Sequence, residues 1–240
     1  MADHSRGSIV FTIRVAAVVA VLLPLLRVRL LFVRREPAAH QLVKRYTQRA
    51  LRAIGCRVEL SHLDRVPSGE SLMFVSNHVS IADAAVLLAV LPFDVGFVAN
   101  HIFAQYPLLG AAIRGASANI VNRGNWRSRG DSGQAMVDAL ASGRSLLVFP
   151  EGTTADGDAM LPFRNGAFRA AARTGCRVVP IVLRGTREMM PAGRTLLADV
   201  PIQIEILEPI RPTDATREGM AALRDAAAAA IRARLAVPIS

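Results

Sequence analysis

The sequence contains almost no lysine, and its positive charge is carried by arginine. Lys44 is the only lysine among 29 Lys and Arg residues, and the formal net charge is +10. An excess of positive charge favours anionic partners, namely nucleic acid, acidic lipid or phosphorylated ligands. Aromatic residues are only 5% of the chain, and they are not interleaved with the arginines as nucleic-acid binding requires. We therefore expect a membrane surface or a phosphate-bearing substrate, and no nucleic acid.

Cysteine is scarce as well, and the sequence does not support the chemistry that depends on it. Cys56 and Cys176 each occur in a Gly-Cys-Arg-Val sequence that follows a helical pattern and begins an apolar run. This context is typical of small residues buried at strand starts, not of a disulfide or a metal site. The chain also lacks a glycine-rich nucleotide loop, a Gly-x-Ser-x-Gly elbow and metal-ligand spacing of His, Cys and carboxylates. We expect no metal and no serine nucleophile.

Long apolar runs are limited to one stretch near the amino terminus. Residues 8–33 are strongly apolar, but Arg14 lies inside them, and the uninterrupted part, 15–26, contains Pro24. A membrane-spanning helix needs roughly 20 apolar residues, whereas arginines on both flanks suit contact with lipid phosphates. The pattern favours a monotopic element that inserts an apolar face into one leaflet. A single membrane span and a buried core helix of a soluble protein are the alternatives.

Short apolar runs alternate with helical patterns along the rest of the chain. This alternation predicts an α/β fold with a mixed, mostly parallel central sheet flanked by helices on both faces. We assign residues 1–55 to apolar and amphipathic membrane-associated helices, and residues 56–240 to the α/β domain. The polar, arginine-rich residues 124–133 are predicted to be an exposed loop. A last helix is predicted over residues 214–235, with Asp214 or Thr213 as its cap.

One strand-to-helix corner carries residues suited to acid–base chemistry. A predicted strand, residues 71–75, leads into Asn77-His78-Val79-Ser80-Ile81-Ala82-Asp83, and an apolar helix follows. His78 and Asp83 would point apart on one continuous helix, so they meet only if the chain bends, and Ser80 is a suitable N-cap. Asp83 is then either a helix cap beside a loop histidine, or the carboxylate that orients a histidine base acting on a substrate hydroxyl.

Three further segments lie at or just after predicted strands, where parallel strands gather side chains at one edge of a sheet. They are Ile120-Val121-Asn122-Arg123, Phe149-Pro150-Glu151-Gly152-Thr153 and Val179-Pro180. A basic segment, Leu161-Pro162-Phe163-Arg164-Asn165-Gly166-Ala167-Phe168, follows the second of them. With the Asn-His-x4-Asp sequence at 77–83, these blocks in this order resemble the PlsC-type glycerolipid acyltransferases, which include the lysophosphatidic acid acyltransferases.

The resemblance implies an enzyme of phospholipid biosynthesis that transfers a fatty acyl group from a thioester to a lysophospholipid hydroxyl. The expected acceptor is lysophosphatidic acid, giving phosphatidic acid, and the donor is acyl-CoA or acyl carrier protein as a co-substrate, with no cofactor. The expected location is the cytoplasmic face of the cell membrane, with a monotopic or single-span anchor. In this reading His78 is the general base and Asp83 orients it.

The resemblance also implies how the acceptor is held. Arg123 would bind its phosphate, and Arg164 is a second phosphate candidate. Glu151, Gly152 and Thr153 would bind its polar head, and backbone N–H groups near Gly152 are candidate donors to the oxyanion. The alternatives are an acyltransferase for lyso-ornithine lipid or another lysolipid, and a non-catalytic membrane lipid-binding protein.

Overall fold

Seven strands form one sheet in the computed structural model, which describes residues 7–33, 36–100, 109–121, 126–154, 159–191, 193 and 195–237. In chain order the strands are β1 (Val58–Ser61), β2 (Leu72–Ser76), β3 (Gly96–Asn100), β4 (Ser117–Val121), β5 (Leu146–Val148), β6 (Arg177–Arg184) and β7 (Ile202–Ile206). Their order across the sheet is β1-β7-β6-β2-β5-β3-β4. Every neighbouring pair is parallel except β6 and β7. The predicted mixed, mostly parallel sheet is therefore confirmed.

Helices cover both faces of this sheet. In chain order they are α1 (Ile9–Leu30), α2 (Glu36–Ile54), α3 (Asp83–Val90), α4 (Leu109–Ala116), α5 (Trp126–Ala141), α6 (Gly166–Thr174), α7 (Thr186–Met189) and α8 (Arg217–Leu235), with a 3-10 turn at Leu63–Arg65. Alternate residues of β2 point to opposite faces. Leu72 and Phe74 join a core cluster with residues of α1, α2 and α3, whereas Met73 and Val75 join residues of α5, α6 and α8. Helices α1 and α2 share a core cluster with this face of the sheet, and α2 packs on α3 and α4. The predicted division at residues 55–56 stays a prediction.

Helix α1 is longer than the sequence pattern indicated. It continues across both Arg14 and Pro24 for 22 residues, which is about 33 Å at 1.5 Å per residue. Arg14 is accommodated because its guanidinium donates to the carbonyl of Ile54, the last residue of α2. The helix is long and apolar enough to cross a membrane.

Only Phe11 and Leu26 of α1 are buried, and its outer side carries large exposed apolar residues. These are Ile9, Val10, Ile13, Val19, Val21, Leu25 and Val28, continued beyond the helix by Leu31 and Phe32. A buried core helix would hide such side chains from water. The alternative of a core helix in a soluble protein is therefore wrong for this stretch.

Two predicted boundaries need correction. The predicted loop at 124–133 is wrong from residue 126 onward, because α5 already begins at Trp126; residues 124 and 125 lie outside the described residues. Its apolar positions, Met136 and Leu140 among them, fall in the second half of the helix, so the first turns gave no periodic signal. The last helix begins at Arg217 with Thr216 as its N-cap, and Asp214 instead accepts the Thr216 N–H at 2.8 Å.

Lys44 is buried on α2, against the chain that leads into β3. Its ammonium donates to the carbonyl of Phe93 at 3.1 Å and lies 3.7 Å from Asp94. The residue is 7% exposed. A long apolar stem makes such burial tolerable where the charged end reaches a partner.

Candidate active site

The site is built where β2 ends beside β6. Ser76 is in register with Ile181, and the buried side chain of Asn77 continues the pairing by one step. Its amide donates to the carbonyl of Leu183 and accepts the N–H of the same residue, both at 2.9 Å. The residue before His78 is thus fixed to the central strand of the sheet.

The chain then bends so that His78 and Asp83 meet. His78 Nδ1 lies 2.8 Å from Asp83 Oδ2, at hydrogen-bond distance. The Asp83 side chain is 0% exposed and the His78 side chain 18%. Since an ionised carboxylate only accepts, this contact favours the tautomer of the neutral imidazole in which Nδ1 carries the proton and Nε2 carries the lone pair.

Asp83 also organises the bend itself. The same oxygen, Oδ2, accepts the backbone N–H of Val79 at 2.8 Å and of Ser80 at 2.9 Å. Ser80 was expected to cap the helix, but α3 begins at Asp83 with Ala82 as N-cap and no side-chain cap. The hydroxyl of Ser80 instead accepts the Ala82 N–H at 3.3 Å. A carboxylate with three donors on one oxygen holds the loop around the histidine ring, whether or not it has a further role.

Phe149 fixes the plane of the imidazole. The two rings are stacked, with centroids 4.2 Å apart and an interplanar angle of 17°. Phe149 follows β5, which neighbours β2 in the sheet. One ring face and one ring nitrogen of His78 are therefore occupied, which leaves the Nε2 edge for another molecule.

Glu151 links this loop to a second segment. It is 2% exposed, and its two carboxylate oxygens accept the N–H groups of His78 and Leu161, each at 2.7 Å. Burial raises the pKa of Glu151 above its ordinary value, while these two backbone donors oppose that rise. The carboxylate therefore connects residues that lie 73 and 10 positions away in the chain.

Arg164 folds back over the turn that contains Glu151. Its backbone N–H donates to Pro150 at 2.9 Å, and its Nε donates to the Glu151 carbonyl at 3.2 Å. Gly152 has φ +81, and a Cβ built there would lie 2.6 Å from Arg164 Nε. Glycine is required here for both reasons, since a side chain would displace the guanidinium and strain the turn.

The structure brings together some of the predicted site residues. His78, Asp83, Glu151, Gly152 and Arg164 form one connected group, and their roles stay predictions. Thr153 follows that turn and is exposed. The Gly152 N–H already donates to the Phe149 carbonyl at 3.1 Å, and the suggestion that backbone N–H groups near Gly152 bind the oxyanion stays a prediction.

Of the other two predicted segments, one ends outside the described residues and one lies within the sheet. Arg123 lies outside the described residues. Val179 and Pro180 are within β6, opposite Phe74 and Val75 of β2, and so belong to the sheet interior. Proline has no N–H to donate to a neighbouring strand. The Pro180 carbonyl accepts the N–H of Leu207, one residue beyond the end of β7 at Ile206. The missing N–H therefore falls where the pairing of β6 with β7 has ended, and Pro180 is tolerated in this central strand. Proline within a strand is typical of an edge strand, but β6 lies inside the sheet, between β7 and β2.

Sequence reasoning missed what Asn77 and Phe149 do. The sequence marked both only as members of recognisable motifs. In the structure, the Asn77 amide makes two hydrogen bonds to the backbone of Leu183, and the Phe149 ring stacks on one face of His78. An asparagine directly after an apolar strand was the available signal, since its amide presents both a donor and an acceptor.

The chain is similar to several acyltransferases of known name. It is 32% identical over 156 residues to a chloroplastic 1-acyl-sn-glycerol-3-phosphate acyltransferase from Brassica napus, covering 64% of this chain and 45% of the relative. It is 30% identical over 163 residues to the lyso-ornithine lipid O-acyltransferase of Pseudomonas aeruginosa, covering 60% of this chain and 62% of that protein. The chain thus spans about half the length of the curated relatives it matches.

The fold is also that of a solved structure. The 1-acyl-sn-glycerophosphate (LPA) acyltransferase PlsC from Thermotoga maritima superposes with a TM-score of 0.75 at 20% identity, over 96% of this chain and 97% of that one. Residues 57–184, more than half of the chain, match the family model described as Acyltransferase. These residues include the His78–Asp83 corner and the Phe149–Arg164 region, and the chain belongs to the Acyltransferase family.

Proposed function

We propose that the protein transfers a fatty acyl group from an acyl thioester to the free hydroxyl of a lysophospholipid, with His78 as general base. The observation that carries the proposal is the 2.8 Å contact between His78 Nδ1 and Asp83, which directs the other ring nitrogen away from the carboxylate. The donor is acyl-CoA or acyl carrier protein, and both are acidic partners that suit a chain of net charge +10. The favoured acceptor is lysophosphatidic acid, giving phosphatidic acid.

The proposed reaction needs no covalent enzyme intermediate. His78 Nε2 takes the proton of the acceptor hydroxyl while its oxygen attacks the thioester carbonyl. A carbon–oxygen bond forms, the carbon–sulfur bond breaks, and the imidazolium returns the proton to the departing thiolate. Asp83 keeps the imidazole in one tautomer and stabilises its charged form. No metal or cofactor takes part in this scheme.

A panel of acceptors tests the proposal. The purified protein is given one labelled acyl thioester with lysophosphatidate, lyso-ornithine lipid and a neutral lysolipid, and products are identified by mass. Transfer to at least one acceptor is expected. Thioester that stays intact with every acceptor, in a protein that still binds lipid, would favour the non-catalytic lipid-binding alternative.

Lyso-ornithine lipid is the second candidate acceptor. It is favoured by the P. aeruginosa relative, which is named for this acceptor and is matched over more of its length than the B. napus protein. It is also an acceptor that carries no phosphate, so the arginines at the site distinguish the two candidates.

Replacing Arg164 with alanine is expected to raise the KM for lysophosphatidate by roughly 10–100-fold, since a hydrogen bond to a charged group contributes about 1.5–3 kcal/mol. Arg164 is exposed beside the Glu151 turn, and guanidinium suits bidentate contact with phosphate. Initial rates with lysophosphatidate and a neutral lysolipid measure the effect. Arg169→Ala, an exposed arginine on α6, is the matched control, and Arg123→Ala is measured in the same way. Equal loss with both acceptors would show that the substituted arginine is structural.

We further propose that α1 holds the protein in one leaflet of the membrane, on its cytoplasmic face. One side of α1 packs on the protein core while the other presents apolar side chains. On α2, Arg45, Arg49 and Arg52 are exposed at helical spacing on one face, suited to acidic lipid head groups. The amino-terminal end of α1 is also bound to the protein, because the Ser8 N–H donates to Leu197 at 2.7 Å. A helix held along the domain in this way suits an interfacial position better than a free span.

Val21→Asp on the exposed side of α1 is expected to weaken binding to anionic vesicles roughly tenfold or more, because burial of a valine contributes about 1.5–3 kcal/mol. Val21 is 58% exposed, and Val237→Asp, at a valine 48% exposed near the end of α8, is the control. Vesicle sedimentation measures both. Binding that Val21→Asp leaves unchanged would place the membrane contact elsewhere. Protease added outside sealed vesicles separates the two topologies, since a spanning helix leaves one of its ends protected and an interfacial helix leaves both ends accessible.

A further inference from the structure

Glu151 is buried and hydrogen-bonded within the protein, whereas a residue that binds substrate must be accessible to it. It is 2% exposed, and each carboxylate oxygen already accepts a backbone N–H at 2.7 Å. Each oxygen could accept a further hydrogen bond, but a residue that is 2% exposed gives a substrate hydroxyl no path to either oxygen. The resemblance to glycerolipid acyltransferases implies that this residue binds the acceptor's polar head, and the geometry gives no access for that contact.

The two N–H groups that Glu151 holds belong to the two halves of the site. One is the backbone N–H of His78, the proposed base. The other belongs to Leu161, which begins the segment ending at Arg164. The same turn binds that segment twice more, through the Pro150 and Glu151 carbonyls and the backbone N–H and Nε of Arg164.

We propose that Glu151 is a positioning residue, which fixes the His78 loop and the Leu161–Arg164 segment to each other and does not touch the acceptor. This inference rests on the proposed function. The reason is the number of acceptor atoms that the two N–H groups need. Two converging N–H groups require two acceptors, and an ionised carboxylate supplies two acceptor oxygens and no donor. Glutamine supplies one acceptor and one donor. Aspartate keeps both oxygens but is one methylene shorter, so it does not reach both N–H groups from the same backbone.

The test is whether Glu151→Gln lowers kcat and leaves the KM for the acceptor unchanged. We expect kcat to fall roughly 10–100-fold through misplacement of the base, with the KM for a neutral lysolipid, which does not use the Arg164 guanidinium, within about twofold of wild type. Glu151→Asp is expected to give the same pattern. A raised acceptor KM with unchanged kcat would overturn the inference, because that is the signature of a residue that binds the acceptor.

A binding measurement independent of turnover separates the same two roles. His78→Ala and the double variant His78→Ala/Glu151→Gln are titrated with a neutral lysolipid, whose binding does not depend on Arg164, and equal Kd values are expected. A weaker Kd in the double variant would contradict the positioning role. The histidine ring proton signals of Glu151→Gln are expected to show a shifted or broadened His78 resonance, which an acceptor-binding role would not produce in the free enzyme.

Glu205→Gln is the matched control for loss of a partly buried carboxylate. Glu205 lies on β7, pairs with Arg234 and His62, and makes none of the site contacts described above. Its kcat is expected to equal that of wild type at a temperature where thermal melts show all variants folded. If the wild type transfers no acyl group to any acceptor, the proposed function fails. If the wild type is active and Glu151→Gln changes only KM, this inference alone fails.

Discussion

Replacing His78 with alanine is expected to lower acyl transfer by roughly 10²-fold or more, the usual size for loss of a general base. The reason is geometric, since Nδ1 is bonded to Asp83, one ring face lies on Phe149, and Nε2 is left to accept the hydroxyl proton. The measurement is the initial rate of labelled phospholipid formation by purified protein in detergent micelles at saturating thioester.

The chain offers a matched control for this variant. His40 on α2 is a second histidine near a carboxylate, with Nε2 3.9 Å from Asp94 Oδ1. His40→Ala removes an equal side chain from a His–Asp pair outside the site, and its rate is expected to stay within about twofold of wild type, as for most substitutions away from special features. Turnover by a folded His78→Ala protein that matches the His40→Ala rate would remove His78 from the mechanism.

Asp83→Asn is expected to reduce the rate by roughly 10²–10⁴-fold, by analogy with loss of the orienting carboxylate in a catalytic triad. An asparagine oxygen at the Oδ2 position still accepts the Val79 and Ser80 N–H groups, so the loop is preserved. The amide then occupies the Oδ1 position, which has no hydrogen-bond partner in the part of the chain that the structure describes. What is lost is the negative charge that stabilises the imidazolium.

The comparison with Asp83→Ala separates orientation from folding. Alanine leaves the His78, Val79 and Ser80 donors unsatisfied, and each orphaned buried donor costs about 1–3 kcal/mol. We therefore expect Asp83→Ala to melt well below Asp83→Asn, with circular dichroism as the measurement. If Asp83→Asn keeps full activity, Asp83 serves only to shape the loop, as the helix-cap interpretation of the sequence held.

The sequence predicted well those features that depend on near neighbours. β2, the corner after it and the approach of His78 to Asp83 all follow from a buried strand, a bend and a five-residue separation. The helix begun by Trp126 was missed, because its first turns show no apolar repeat and carry glycines. Helix α1 was expected to be interrupted at Arg14, and the Ile54 carbonyl that receives this arginine lies 40 residues away.

Contacts between distant segments were not predictable from one sequence. The amide of Asn77 binds Leu183, 106 residues further along, and Glu151 reaches back 73 residues to His78. An asparagine after an apolar strand marks Asn77 as a candidate but does not identify its partner. Nothing local marks the contact of Glu151, because a buried glutamate and an exposed one after a strand look alike in sequence. Only the strand order, which places β2 between β5 and β6, brings these segments side by side.

The burial of Lys44 leaves the molecular surface without an ε-amine. Reagents that acylate or cross-link primary amines on side chains therefore find their single target shielded, and immobilisation through lysine is ineffective for this protein. Among the described residues, most exposed cationic side chains are guanidinium groups, which stay charged in alkaline solution. Attraction between this surface and an acidic bilayer should accordingly be insensitive to alkalinity up to the point where the lipids themselves change charge.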